Sequence, residues 1–463
     1  MKNLFLKGSL ESLGELDLSG TKVRTLDLGG VKSTLPERII LLGCEKLRAI
    51  LWPESVKDKS PDLLRIDTTS TSASTEGVEA AHAHPYVDRS LQQQKEEKFK
   101  DGWQISLTDA RLLRSLSPVT GYLVRASFHI DIYSPAILGG SNVQGKNQDK
   151  PVQVQPHTST IMDSKYRDVL KDRPVEVMMM WDCPHIMSGD PACIIKVIMD
   201  GKANKLFEDA PGVSISALLF PDFIFEDATS LHVYDNPSIT SIPAPSNVSG
   251  WRYLIWCRVE RCPKLLAIFT RGLSSAVDNL QRVQTIWASQ LLSARYISGY
   301  PYNNKYRLRF LHLDHCPRLV HVLPLSTWHA NNSLSALRTL EIVYCGDLKV
   351  VFPVDPELED QHKVMYLSHL TGIHLHELPT LQHICRLRMR APKLETIKIR
   401  GCWSLRRLPA VGRNTKPPKV DCEKEWWDNL EWDGLEEYHH PSLYQPIHSL
   451  YYKAQLPRVS VLR

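Results

Sequence analysis

The chain has 463 residues, 43% of them hydrophobic, with 56 Lys and Arg against 51 Asp and Glu for a formal net charge of +5. That apolar fraction builds a packed core and excludes a disordered or collagen-like polymer. So small a net charge, with no run of five basic residues, excludes a field that gathers nucleic acid or anionic lipid. Length alone suggests about three domains at roughly 150 residues each, an arithmetic that repeat arrays escape because each unit packs only on its neighbours.

The opening stretch MKNLFLKGSLESLGELDLSG carries Lys7 and Glu11 inside its apolar region and lacks a small-residue cleavage pattern, so it does not read as a secretory signal. The longest apolar run, GVSISALLFPDFIF, is broken by Pro221 and Asp222 and falls short of the roughly 18 residues that would span a bilayer. Ten cysteines in so long a chain fit reduced thiols in a cytoplasmic protein, which leaves the sequons at Asn247 and Asn331 unused.

Two repeat-like units open the chain: Leu13, Leu16, Leu18, Thr21, then Ile39, Leu41, Cys44, Leu47, Ile50. Periodicity then fades. TTSTSASTEGVEAAHAHP reads as a solvated loop, residues 103–135 recover enough hydrophobicity for structure, and GGSNVQGKNQDKPVQVQP returns to loop composition. Residues 61–165 are therefore either a polar insertion or degenerate repeats. A weak copy follows at Met178, Met180, Cys183 and Ile186, and another at Leu231, Val233, Asn236, Ile239 and Ile242.

From there the pattern L-x-x-L-x-L-x-x-C-x-x-L-x-x-L becomes plain. It is cleanest in LRFLHLDHCPRLVHV, with Leu308, Leu311, Leu313, Cys316, Leu319 and Val322 in its slots. The same register holds for Leu254, Cys257, Val259, Cys262, Leu265 and Ile268, and for Leu337, Leu340, Ile342, Cys345, Leu348 and Val351. It continues through Leu370, Ile373, Leu375, Leu378, Leu381 and Ile384 to Leu394, Ile397, Ile399, Cys402, Leu405 and Leu408. Slot separations of 23 (Thr21 to Cys44), 26 (Asn236 to Cys262), 29 (Cys316 to Cys345), 33 (Cys345 to Leu378) and 24 (Leu378 to Cys402) lie in or near the leucine-rich-repeat range. The gaps from Cys183 to Asn236 and from Cys262 to Cys316 each have room for one cryptic repeat, although LQRVQTIWASQLL at 280–292 has apolar spacing suited to a helix.

The expected fold is an α/β solenoid: a leucine-rich-repeat horseshoe with short parallel strands on its concave face and an irregular or helical convex side. No unit buries its apolar wedge alone, so stacked neighbours share one core. The organisation expected is N-terminal repeats at 1–60, the irregular region at 61–165, the main array at 166–412 and a capping tail at 413–463. In that tail Trp426, Trp427, Leu430 and Trp432 would hide the open edge of the last coil.

No constellation of residues calls for catalysis, a cofactor or a metal. The recurring cysteines lack the close pairs that zinc requires, His82 and His84 sit in a Ser/Thr/Ala loop without ligand partners, and the carboxylates of Asp421, Glu423 and Glu425 are flanked by tryptophans suited to a cap. What the repeats offer is surface. The residue between the two strand leucines points away from the core: Asp17, Ile40, His232, Arg258, His312, Glu341, His374 and Lys398. An open face must be solvated, which alone selects such residues; a varied polar ladder on a rigid scaffold is also how a protein-binding surface is displayed. The candidate protein-binding residues are Asp17, His232, Arg258, His312, Glu341, His374 and Lys398, with no nucleic acid, membrane or small molecule indicated as partner.

APKLETIKIRGCWSLRRLPAVG, followed by VDCEKEWWDNLEWDG and HHPSLY, together with FLHLDHCPRLVHVLPLS and LEIVYCGDLKVVFPVDPE, resembles the C-terminal end of cereal-type nucleotide-binding leucine-rich-repeat disease-resistance proteins. The resemblance covers about 170–463 and, more loosely, the first 60 residues. It implies a module of plant innate immunity whose partner is a pathogen effector, a guarded host protein or the switch domains of a receptor. The family's G-x-x-x-x-G-K-[ST] phosphate cradle is absent, so nucleotide switching does not transfer. The expectation is a truncated or separately encoded repeat portion, or a start lying inside a longer frame; the alternative is a repeat remnant with only a structural role.

Overall fold

The computed structural model describes residues 3–32, 34–54, 61–69, 103–125, 128–133, 193–198, 221–237, 239–240, 242, 251, 253–269, 282–298, 307–325, 334–354, 364–412, 416–434 and 438–448. The copy at Met178–Ile186 and the histidines His82 and His84 lie outside them.

Among the described residues fifteen short strands, every pair parallel, form one continuous sheet. Across it run Glu15–Asp17, Arg38–Leu41, Leu63–Asp67, Trp103–Leu107, Cys193–Ile198, Phe128–Tyr133, Ser230–Tyr234 and Trp256–Glu260. It continues with Thr285–Ser289, Phe310–Asp314, Thr339–Val343, Gly372–His376, Thr396–Arg400, Lys419–Asp421 and Gln445–Ile447. One strand departs from chain order: Cys193–Ile198 lies between Trp103–Leu107 and Phe128–Tyr133. The sheet therefore runs through the region 61–165 with three strands of that region in it.

Strand alternation sends every second side chain inward. Leu311, Leu340, Ile373 and Ile397 are register partners in successive strands, as are Leu313, Ile342, Leu375 and Ile399, and all are buried. These two aliphatic ladders, with the buried cysteines and the second-half leucines beneath them, make one core along the array. No coil could exclude water from both of its faces alone, so stability is shared between neighbours.

The turn leaving each strand has its own rule. The residue just before the cysteine slot takes a left-handed conformation at Gly20, Gly43, Asp235, Arg261, Gln290, His315, Tyr344, Glu377 and Gly401. Its amide then continues the inter-coil ladder: Arg261 N–H donates to Ser289 O at 3.0 Å, Gln290 to Asp314 O at 2.8 Å and Glu377 to Arg400 O at 2.8 Å. At Gly401 a Cβ would stand 2.9 Å from the Glu377 carboxylate, which would have to swing aside, and the φ of 65° strains any side chain there. The slot residue next donates back into the turn, Cys262 Sγ to Glu260 O at 3.2 Å and Cys402 Sγ to Arg400 O at 3.3 Å. Burial pushes both thiols up to about 12, and the eight cysteines whose side chains are described are free and buried.

The structure sharpens three points. Residues 282–292 are not helical: Thr285–Ser289 is a five-residue strand of the main sheet, and Val283, Ile286, Ala288, Leu291, Ala294 and Ile297 fill the repeat slots, all buried. Helix-like spacing arose because two slots hold alanine and the cysteine slot holds leucine, which blurs the repeat against a 3.6-residue period. Second, the side away from the main sheet carries little helix. Short parallel strands line it instead: Asn3–Gly8, Thr25–Val31 and Ala49–Leu51 in one sheet, and the pairs Ala267–Phe269 with Tyr296–Ser298, Val350–Phe352 with His383–Cys385, and Val364–Tyr366 with Arg388–Arg390. Third, the array does not stop at 412, since Lys419–Asp421 and Gln445–Ile447 add two strands to it.

Beyond the last coils, Lys424–Asp428 is a short helix whose buried Trp426 donates from Nε1 to Leu405 O at 2.8 Å. Trp427 and Trp432 meet edge-on at 5.4 Å and both pack on Tyr444, whose hydroxyl donates to Pro409 O at 2.6 Å. The final strand, Gln445–Ile447, is exposed and carries Pro446, a residue that cannot donate to a further strand.

Candidate functional site

The sheet's open face presents three columns of side chains. Register places His232, Arg258, Trp287, His312, Glu341, His374, Lys398 and Asp421 in one row across eight successive strands. Six of the seven candidates named from sequence thus fall on a single ladder. Asp17 does not; its strand pairs only with Arg38–Leu41 at the far end of the sheet. There the Ser19 side chain and, at 2.9 Å, the Ser19 amide donate to its carboxyl and hold it below the ordinary aspartate range.

Sequence reasoning missed Trp287, because its coil was the cryptic one; the spacing Val283, Ile286, Ala288, Leu291 was the signal that would have found it. Trp287 is central to the site. Its ring stacks on His312 with centroids 3.7 Å apart, and the Arg258 guanidinium lies over the same ring, 4.9 Å from its centre. Phe310 adds a further stacked ring 6.4 Å from Trp287.

This packing corrects one feature of the expected surface. His312 and Glu341 are not solvated: they are 0% and 2% exposed, with His312 Nδ1 3.4 Å from Glu341 Oε2. Neighbouring strands stand about 4.8 Å apart, so rings as large as Trp287 and Phe310 roof over the residues beside them. The accessible part of the row is His232, Arg258, His374, Lys398 and Asp421, each intermediate in burial.

Charges on the next column lock the row in place. Arg258 Nε and Nη2 both donate to Glu260 Oε1, at 2.8 and 2.7 Å, and His232 Nε2 lies 3.6 Å from Oε2 of the same carboxylate. Arg261 completes the network, reaching Glu260 at 3.4 Å and Asp235 at 2.5 and 3.1 Å. Burial alone would raise the Glu260 carboxyl; Arg258, His232 and Arg261 overcome it and hold the group well below the usual glutamate range. Farther along, Asp314 accepts from His315 Nδ1 at 2.6 Å and Arg400 pairs with Asp421. Tyr234 stacks on His232 at 4.4 Å. The result is a floor of aromatic and charged groups in which Arg258, His232 and Arg261 converge on the Glu260 carboxylate. Among the described residues no group of three His, Cys, Asp or Glu is placed to hold a metal ion, and no helix is long and apolar enough to cross a membrane.

Residues 286–411 match the family described as plant disease resistance protein RPS2-like, leucine-rich repeats. These repeats are similar to those of plant disease resistance proteins. The matched span contains Trp287, His312, Glu341, His374 and Lys398, and leaves His232 and Arg258 outside it. A protein of Arabidopsis thaliana bearing the description "Probable disease resistance protein" is 30% identical over 101 residues. That stretch is 21% of this chain and only 11% of the relative's length. No solved structure matches the chain.

Proposed function

We propose that the chain is a protein-recognition module of plant innate immunity that senses a pathogen effector, a guarded host protein or receptor switch domains through the open face of its sheet. On this reading it works in the cytoplasm, binds rather than catalyses, and corresponds to the repeat region of a cereal-type receptor. The observation that carries the proposal is the continuous ladder from His232 to Lys398, presented on seven parallel strands of one shared core. Rigid aromatic floors with charged edges suit protein partners, because Trp, Tyr and Arg supply contact area at low entropic cost. The resemblance of 286–411 to disease-resistance repeats supplies the biological setting.

His374 and Lys398 are the residues to change, since both are partly accessible and neither is held in the Glu260 network. Affinity capture from pathogen-challenged plant tissue, with the chain and its His374→Glu/Lys398→Glu variant as paired baits, tests the reading. A partner kept by the chain and lost by the variant is expected. Identical retained proteins, with both baits folded, would overturn a concave interface.

A further inference from the structure

A second surface lies behind the main sheet, on the strand Arg388–Arg390. Its sequence CRLRMR alternates: Leu387 and Met389 are buried at 5% and 7% exposure, so Arg386, Arg388 and Arg390 stand together on the outer side. The following coil brings Arg406 and Arg407 to the same cleft, whose lining also includes the carboxylates of Glu431 and Asp433, so that five arginines face two acids. Arg407 is already engaged by Asp433, and Arg406 donates to Asn429 O at 3.4 Å. Among the described residues no carboxylate pairs with Arg388 or Arg390. Two tyrosines bracket Arg390. Tyr366 is its register partner on the adjoining strand, and Tyr438 lies beneath its guanidinium with the ring centre 4.3 Å away; they are 40% and 39% exposed.

Like charges gathered this closely repel one another. Arg407 is pushed below its ordinary value by burial and by the nearby Arg388, and the buried His439 is likewise held neutral, lowered to about 4 by burial and by Arg407. An incoming anion relieves that repulsion. The whole chain carries only +5, so this is a local concentration of charge and not one edge of a basic surface.

We propose that this cleft is a second interaction surface, separate from the open face of the sheet, and that it docks an acidic segment of a protein partner. Guanidinium groups pair bidentately with carboxylates. Alternate residues of a strand are spaced about 6.6 Å apart, the same repeat as alternate side chains of an extended peptide, so Arg388 and Arg390 match acidic residues two positions apart. The exposed tyrosines add the amphipathic rings that mark protein interfaces. A nucleic-acid strand needs a longer basic track than this single cleft supplies.

Fluorescence anisotropy of a fluorescein-labelled Glu-Ala repeat peptide with the full chain tests the proposal. Binding that weakens as salt is added is expected, as is a loss of about tenfold or more in Arg388→Glu/Arg406→Glu. Both arginines are exposed, so the thermal midpoint of this variant should match that of the parent chain. Arg388→Gln/Arg406→Gln should fall between the two. The His374→Glu/Lys398→Glu variant should bind the peptide as the parent does, which separates this surface from the concave reading. Undiminished binding by the charge-reversed variant overturns the proposal, as does an RNA oligonucleotide bound as tightly as the peptide. A collapse of the thermal midpoint in both arginine variants overturns it too, since the arginines would then serve the fold.

Discussion

Two adjacent coils, 283–297 and 308–322, build the same turn of the solenoid from very different sequences. The second fills its slots with Leu308, Leu311, Leu313, Cys316, Leu319 and Val322; the first uses Val283, Ile286, Ala288, Leu291, Ala294 and Ile297, and every one of the twelve is buried at 1% exposure or less. Their strands pair in register, Ile286 on Leu311 and Ala288 on Leu313. Slot spacing and a small or aliphatic side chain therefore suffice, while the consensus cysteine and leucines do not decide whether a coil forms. What the weaker coil lacks in side-chain volume its neighbours supply, as expected where each unit packs on the next.

The largest expected effect tests whether the two coils are equally load-sharing. Leu313→Ala should destabilise by about 2–5 kcal/mol, the cost of a buried cavity. Leu291→Ala should cost an amount in the same range, because Leu291 occupies the cysteine slot of its own coil at 0% exposure. Urea unfolding followed by circular dichroism measures both. If Leu291→Ala falls below about 0.5 kcal/mol, the ordinary range for surface changes, the cryptic coil is not part of the shared core.

A smaller effect concerns the charged side of the comparison. The strand Trp256–Glu260, on the other side of the cryptic coil, holds Glu260 with its carboxyl well below the usual range. A depressed carboxyl contributes stability that is fully present above the ordinary glutamate value of about 4.3 and is lost as pH falls toward the folded value. Glu260→Gln should thus cost about 1.5–3 kcal/mol at pH 7, the range for hydrogen bonds to charged groups. It should also flatten the decline in stability below pH 4.3. Unfolding midpoints of the two proteins across that pH range provide the check; parallel curves would show that the network around Arg258 confers nothing on the folded state.

Much of this architecture was legible because a strand has period two and the repeat recurs. The ladder from His232 to Lys398 follows from reading the residue between two core positions, and five of the strands bearing it begin in segments whose leucines are plain. Burial was not legible. Whether His312 meets solvent depends on Trp287 in the neighbouring strand, and no periodicity within one coil reports the size of side chains in the next. The extra strands Lys419–Asp421 and Gln445–Ile447 were hidden for another reason: each is three residues long, too short for an alternation to register, and the tryptophans around them read as a cap. Asp17 was read correctly as outward, yet only the strand order shows how far from the rest it stands.

The smallest expected effect separates the two coils at their turns. Gln290 and His315 both sit in left-handed backbone, at φ 54° and 50°. Histidine is among the residues enriched there and glutamine is not. His315 also holds its conformation with side-chain contacts, a 2.6 Å bond to Asp314 and a tilted ring contact with Tyr344 at 4.6 Å. Gln290 is exposed, and among the described residues its side chain makes no such bond. Glycine relieves the backbone conformation at either site but adds freedom to the unfolded chain, a cost of about 0.5–1 kcal/mol. At Gln290 relief should prevail, so Gln290→Gly should raise stability by up to about 1 kcal/mol. At His315 the lost contacts add to the entropic cost, so His315→Gly should lower it by about 1 kcal/mol. Thermal midpoints that move in opposite directions would show that the strict coil stabilises its turn through side chains while the cryptic coil carries its strain unrelieved. Midpoints that fall together would instead place the stability of both turns in the amides they donate to the next coil.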